Sequence, residues 1–128
     1  MREILFRGKR IDNGEWVEGW YYKRIVHLNT FHQNVVVDAI EVYDGENPLS
    51  IAYYSVDPAT VGQYTGLTDK NGKKIFEGDI LAINKWKPYY AVKFEDGTFC
   101  MVGTAIPIRH ANKFGIIGNI HDNPNLMK

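Results

Sequence analysis

A chain of 128 residues with 45% apolar and 23% charged side chains is long enough to bury one core, and its make-up is that of a globular protein. Fifteen basic residues balance fifteen acidic ones, which excludes a global electrostatic pull toward nucleic acid or anionic lipid. One cysteine, Cys100, excludes an internal disulfide and fits a strand thiol in a reducing compartment.

The opening "MREILFRGKR" is charged at its second residue and has no long apolar segment, so neither a secretion signal nor a membrane span is expected. Its apolar core from Ile4 to Phe6 and the later "EWVEGWYY" read as two strands. Asn13-Gly14 between them has the composition of a type I′ hairpin turn, which needs positive φ at both residues. In the second strand Trp16, Glu18 and Trp20 share one face, and Val17, Gly19 and Tyr21 the other. From His27 to Asn34 the pattern decays into a polar connection. "VVVDAIEVY" is β-branched and reads as a strand, with a break allowed near Asp38. "DGENP" reads as a surface loop and "LSIAYYSV" as the next strand. Asp57-Pro58 caps a single helical turn through "PATV". No segment holds helical periodicity for three turns.

The stretch "QYTGLTDKNGKKIFEGDILAI", from Gln63 to Ile83, sets a polar turn between two apolar runs. Asn71-Gly72 is its expected hairpin tip, kept wet by Lys70, Lys73 and Lys74. Gly78 before Asp79 supplies a bulge where a strand bends around a small barrel. Ile75 and Leu81, six apart, share a face in a regular strand and are expected to face the barrel interior, although a bulge at Gly78 would change that phase. A phosphate-gripping loop would need a helix after the glycines and a Gly-Lys-Ser/Thr ending, and neither is present. "YYAVKFEDGTFCMVG" turns at Asp96-Gly97, and "KFGIIGNI" is the last strand. Charge divides at the same place: residues 1–62 hold six basic against nine acidic side chains, net −3, and residues 63–128 nine against six, net +3.

"REILFRGKR", "VGQYTGLTDKNGKKIFEGDIL" and "IIGNIHDNPNLM" together resemble the YopX family of phage and prophage proteins, and occur in the family's order. The resemblance implies a β-rich fold containing a small SH3-like barrel, with "EGDILAI" an early barrel strand and "AVKFEDGTFCMV" the hairpin after it. It also implies a bacterial cytoplasm. The family brings no established activity and no catalytic motif to place on these residues. The expected architecture is therefore all-β: an N-terminal β-hairpin arm and subdomain over residues 1–62, then an SH3-like barrel over 63–128.

Three candidate sites follow from the residues. Glu77 and Asp79 flank a glycine and with His121 could serve a hydrolase or nuclease. Asp79 fits better as a turn residue bonding backbone amides. The aromatics Trp16, Trp20, Tyr21 and Tyr22 are more than a short hairpin can bury against itself, and mark a self-association surface. Lys70, Lys73, Lys74, Lys85 and Lys87 with Trp86 could hold single-stranded nucleic acid, through phosphate contacts and base stacking. The four histidines show no metal spacing, and no cofactor is called for. The expected function is a non-enzymatic phage accessory protein that binds protein, including itself as a homo-oligomer. Nucleic-acid binding is the alternative, and the hydrolase comes after it.

Overall fold

The structure, a computed structural model, describes residues 4–28, 33–43 and 51–128. The "DGENP" loop and His32 lie outside the described residues. The fold is all-β, as expected, with antiparallel strands and, among the described residues, three short 3-10 segments. Among the described residues no helix is long and apolar enough to cross a membrane. The chain forms two compact units that meet in sequence at Gly62 and Gln63.

In the first unit β1 (Phe6–Lys9), β2 (Trp16–Leu28), β3 (Gln33–Tyr43) and β4 (Ile51–Ser55) form a meander in the order β4-β3-β2-β1. β3 runs unbroken through Asp38, because that carboxylate has partners on the sheet. The Tyr21 hydroxyl donates to it, and Lys23, directly opposite, brings Nζ to 3.5 Å. The polar connection expected over His27–Asn34 is shorter than its composition suggests. Pairing continues to Leu28 opposite Gln33, since a ladder once started tolerates polar residues. The β1–β2 turn is a hairpin but not type I′. Only Gly14 has positive φ, at 73°, while Asn13 uses its side-chain oxygen to accept the Glu15 amide at 2.9 Å. The 3-10 segment Pro58–Thr60 follows β4, and Asp57 caps it by accepting the Ala59 amide at 3.0 Å.

In the second unit β5 (Gly62–Thr68) and β6 (Lys74–Phe76) form a hairpin. β7 (Asp79–Ala82), β8 (Tyr90–Glu95), β9 (Thr98–Met101) and β10 (Gly115–Asn119) form a sheet in the order β10-β7-β8-β9. Ile75 and Leu81 are both fully buried in one cluster with Val92, Met101, Ala111 and Phe114, as expected, but they lie on different strands, so the even spacing of one regular strand is not the cause. Gly78 does not make a bulge inside one strand. With Glu77 it forms the turn that separates β6 from β7. Its N–H donates to Val92 and its carbonyl accepts from Ile120.

The expected closed SH3-like barrel is not what the pairing gives. The sheet is open, with β9 and β10 as its two edges. These strands are only four and five residues long. The chain between them folds as the 3-10 segment Ile108–Lys113, whose Ala111 is buried in the core together with Phe114 just after it. Core packing is thus completed by irregular chain where a barrel would use strand pairing.

Candidate binding surfaces

Register sorts the side chains of the first sheet. Arg7 lies opposite Glu18, Lys9 opposite Trp16, Trp20 opposite Glu41, and Glu41 opposite Tyr53. Residues directly opposite in an antiparallel pair point to one side, so these side chains share a face with Tyr22 and Arg24. Trp20 is 53% exposed and Tyr53 45%. Tyr22 meets Tyr53 edge-on at 6.1 Å, and the Arg24 guanidinium stands 4.5 Å over the Tyr53 ring. Trp16 is more enclosed, with Arg7 at 4.8 Å and Lys9 at 5.7 Å from its ring centre. Tyr21 points to the opposite face. Its hydrogen bond to Asp38, helped by burial, pushes its hydroxyl above the usual tyrosine range. Gly19 lets the strands approach: a Cβ there would lie 2.0 Å from the Glu41 carbonyl oxygen.

In the second unit the structure does bring Glu77, Asp79 and His121 to one corner. The His121 ring lies against Gly78, with Nε2 3.5 Å from where a Cβ would be. Asp79 is buried, however, and accepts the Phe76 amide at 2.8 Å, the architectural role expected of it. Cys100 is on β9. Burial, reinforced by Glu95 and Asp96, pushes its thiol above the usual range, which leaves little thiolate for chemistry. Among the described residues no group of three or more His, Cys, Asp or Glu is arranged to hold a metal.

The lysines proposed for nucleic acid occupy two loops. Lys70 and Lys73 are on the β5–β6 tip with Lys74 just beyond, at the start of β6, and all three are exposed. Lys85, Trp86 and Lys87 are exposed on the β7–β8 connection. Lys87 Nζ donates to the Lys128 carbonyl at 2.5 Å, and Lys74 lies 5.6 Å from the Tyr64 ring centre.

Residues 5–128 match the model of the YopX protein family. The chain belongs to the YopX family. It is also similar to a solved structure, the crystal structure of protein EF1440 from Enterococcus faecalis, with a TM-score of 0.60 and 24% identity over all of both chains. That likeness is one of fold. No curated protein matches the chain.

The stretch that carries the family resemblance holds a residue whose part the sequence reading missed. Asp69 is 4% exposed. One carboxylate oxygen accepts the amides of Asn71 at 2.8 Å and Lys73 at 2.9 Å, and the other accepts the amide of Ile116 on β10 at 3.0 Å. The first two bonds follow the local pattern of an Asx turn and were readable from "TDKNGK". The third joins residues 47 apart and has no local signal. Thr65, buried in the same stretch, donates to the Ile75 carbonyl at 2.8 Å. Polar residues of this YopX motif thus hold backbone in place.

Proposed function

We propose that this YopX-family chain is a non-enzymatic accessory protein of phage or prophage that works by binding protein in the bacterial cytoplasm, with a second copy of itself as its first partner. The observation that carries the reading is the row Trp20–Glu41–Tyr53 across three strands, which leaves two large aromatics about half exposed on one face. Aromatic anchors supply much of the energy of protein interfaces. The same face carries Arg7, Lys9 and Arg24 beside Glu18 and Glu41. A twofold contact requires such a mixture, because one patch must complement its own copy.

The non-enzymatic part rests on the corner at Gly78, where Asp79 is committed to a backbone amide. Light scattering at micromolar concentration tests the association. A dimer mass is expected for the parent and a monomer mass for Trp20→Ala, which keeps the far-UV spectrum of the folded chain while its thermal midpoint loses the concentration dependence that the dimer gives the parent. Trp16→Ala is expected to change the mass less, since Arg7 and Lys9 already face that ring. A parent that is strictly monomeric at low and moderate salt removes the self-association reading. A defined turnover lost in Glu77→Gln at unchanged midpoint removes the non-enzymatic one.

A further inference from the structure

The tip of the β5–β6 hairpin, outside the β10-β7-β8-β9 sheet, lies at the end of that sheet from which the β7–β8 loop leaves. Lys70 donates its amide to the Phe114 carbonyl at 2.9 Å. Its side chain crosses Gly115, where a Cβ would meet Lys70 Cε at 3.0 Å. Gly115 pairs with Ala82, the last residue of β7. The next residues are Ile83, 55% exposed, and the loop with Lys85 and Trp86. Lys113, exposed, ends the 3-10 segment one residue before Phe114. Neighbouring strands are about 4.8 Å apart, so Lys70, Lys113 and the start of the β7–β8 loop border one short rim.

This rim is strongly one-signed. Strand direction sends Glu77, Glu95, Asp96 and Asp122 to the other end of the sheet: β7 begins beside Asn119, where β10 ends, and β8 runs away from Leu81 toward Glu95. The side-chain carboxylate nearest the rim, Asp69, has both oxygens turned onto backbone amides. The Trp86 loop is also built. Asn84 accepts the Trp86 amide at 2.8 Å, the Tyr89 hydroxyl closes onto the Lys85 carbonyl at 2.8 Å, and Lys85 Nζ stands 5.0 Å from the Trp86 ring centre. The result presents a tryptophan that is 68% exposed with the Lys85 ammonium against its ring.

We infer that this end of the second unit binds single-stranded nucleic acid, with Lys70, Lys73, Lys85 and Lys113 on phosphates and a base stacked on Trp86. An exposed aromatic beside backbone-tracking cations is what unpaired strands require, because each base offers a π face that a duplex conceals. Among the described residues there is no α-helix to enter a major groove.

Fluorescence anisotropy with the full chain tests this, using labelled twelve-nucleotide oligo-dT, the matching oligo-U and a twelve-base-pair duplex. Both single strands are expected to bind in the micromolar range at 50 mM salt, and the duplex at least tenfold more weakly. Four phosphate contacts predict an affinity drop of roughly 50-fold between 50 and 200 mM salt, from a slope of about 0.7 per contact. Trp86→Ala is expected to weaken binding about tenfold or more, as loss of one stacked base does, with its thermal midpoint and mass unchanged. A preference for oligo-U assigns recognition to the 2′-hydroxyl, one for oligo-dT to the deoxy sugar or the thymine methyl, and equal binding to the phosphates and the shared pyrimidine ring. No binding at 100 μM protein, equal binding of the duplex, or an unchanged affinity in Trp86→Ala overturns the inference. The mass of the parent protein is read separately, so this inference and self-association fail separately.

Discussion

Asp69 is held ionised against its surroundings. Burial opposes the charge, but the amides of Ile116, Lys73 and Asn71, with the Lys73 charge beyond them, outweigh it and hold the carboxyl below its usual range. A depressed pKa contributes stability that is complete above the unfolded value, near 3.8, and fades as pH falls through the lower native value. Asp69→Asn keeps the shape but points amide hydrogens at amide hydrogens. It is expected to cost about 2 kcal/mol in urea unfolding at pH 7, within the range for hydrogen bonds to a charged group. The loss relative to the parent should shrink as pH is lowered below about 4. A constant difference down to pH 2 would mean that the charge is not the source. Sequence reading singled out Asp79 in this stretch and passed over Asp69, because the bond that distinguishes Asp69 ends on a strand 47 residues away.

At the scale of the element, three Gly-bearing hairpin turns among the described residues show what a dipeptide can and cannot announce. Asp96-Gly97 has positive φ at both residues, 51° and 80°, and is the two-residue type I′ turn between Glu95 and Thr98. Asn13-Gly14 and Asn71-Gly72 have the same chemistry and form longer hairpin turns with positive φ at glycine alone. In the second, Asp69 donates its amide to Lys73 and accepts that of Gly72, so Lys70 and Asn71 sit in a turn that Gly72 completes. The existence of each hairpin was legible; its type depended on which residues the flanking strands pair. Gly72 has φ of 82° with open space around it, so substitution there measures backbone strain without a steric contribution. Gly72→Val is expected to cost about 1–3 kcal/mol in urea unfolding, and Gly72→Asn much less because asparagine tolerates this region. Equal stabilities for the two variants would remove the left-handed assignment.

For the molecule as a whole, the class came through in the sequence and closure did not. Alternating apolar residues and spaced glycines specify strands, and they specified these. Whether β9 meets β10 depends on what the residues between them do, and "TAIPIRHANKF" carries no strand or helix period that would tell. Its buried Ala111 and Phe114 complete the core in irregular chain. The composition of the binding surfaces was likewise legible, while their grouping was not. Alternation already turned Tyr21 away from Trp20, but register alone puts Tyr53 in one row with Trp20. The pairing of Gly115 with Ala82 alone brings Lys113 and Lys70 near the loop of Trp86. A neutral chain can therefore carry a cationic rim, because strand direction sorts its carboxylates to the opposite end of one sheet.

The clasp between Asp69 and Ile116 also bears on the order in which structure forms. The β8–β9 hairpin closes through a two-residue turn, an event of microseconds. Docking of β10 beside β7 must first gather the chain that separates them, and long-range pairing of this kind comes late. A contact made after the rate-limiting barrier slows escape from the native state without hastening arrival. Stopped-flow urea jumps on Asp69→Asn should therefore show unfolding accelerated about 30-fold, if the whole of about 2 kcal/mol falls on that limb, and refolding almost unchanged. A refolding limb slowed to the same degree would place β10 in the folding nucleus instead. On the first outcome, the carboxylate that fixes the lysine tip is a latch set after the fold is made, and the protein's persistence, more than its speed of folding, depends on it.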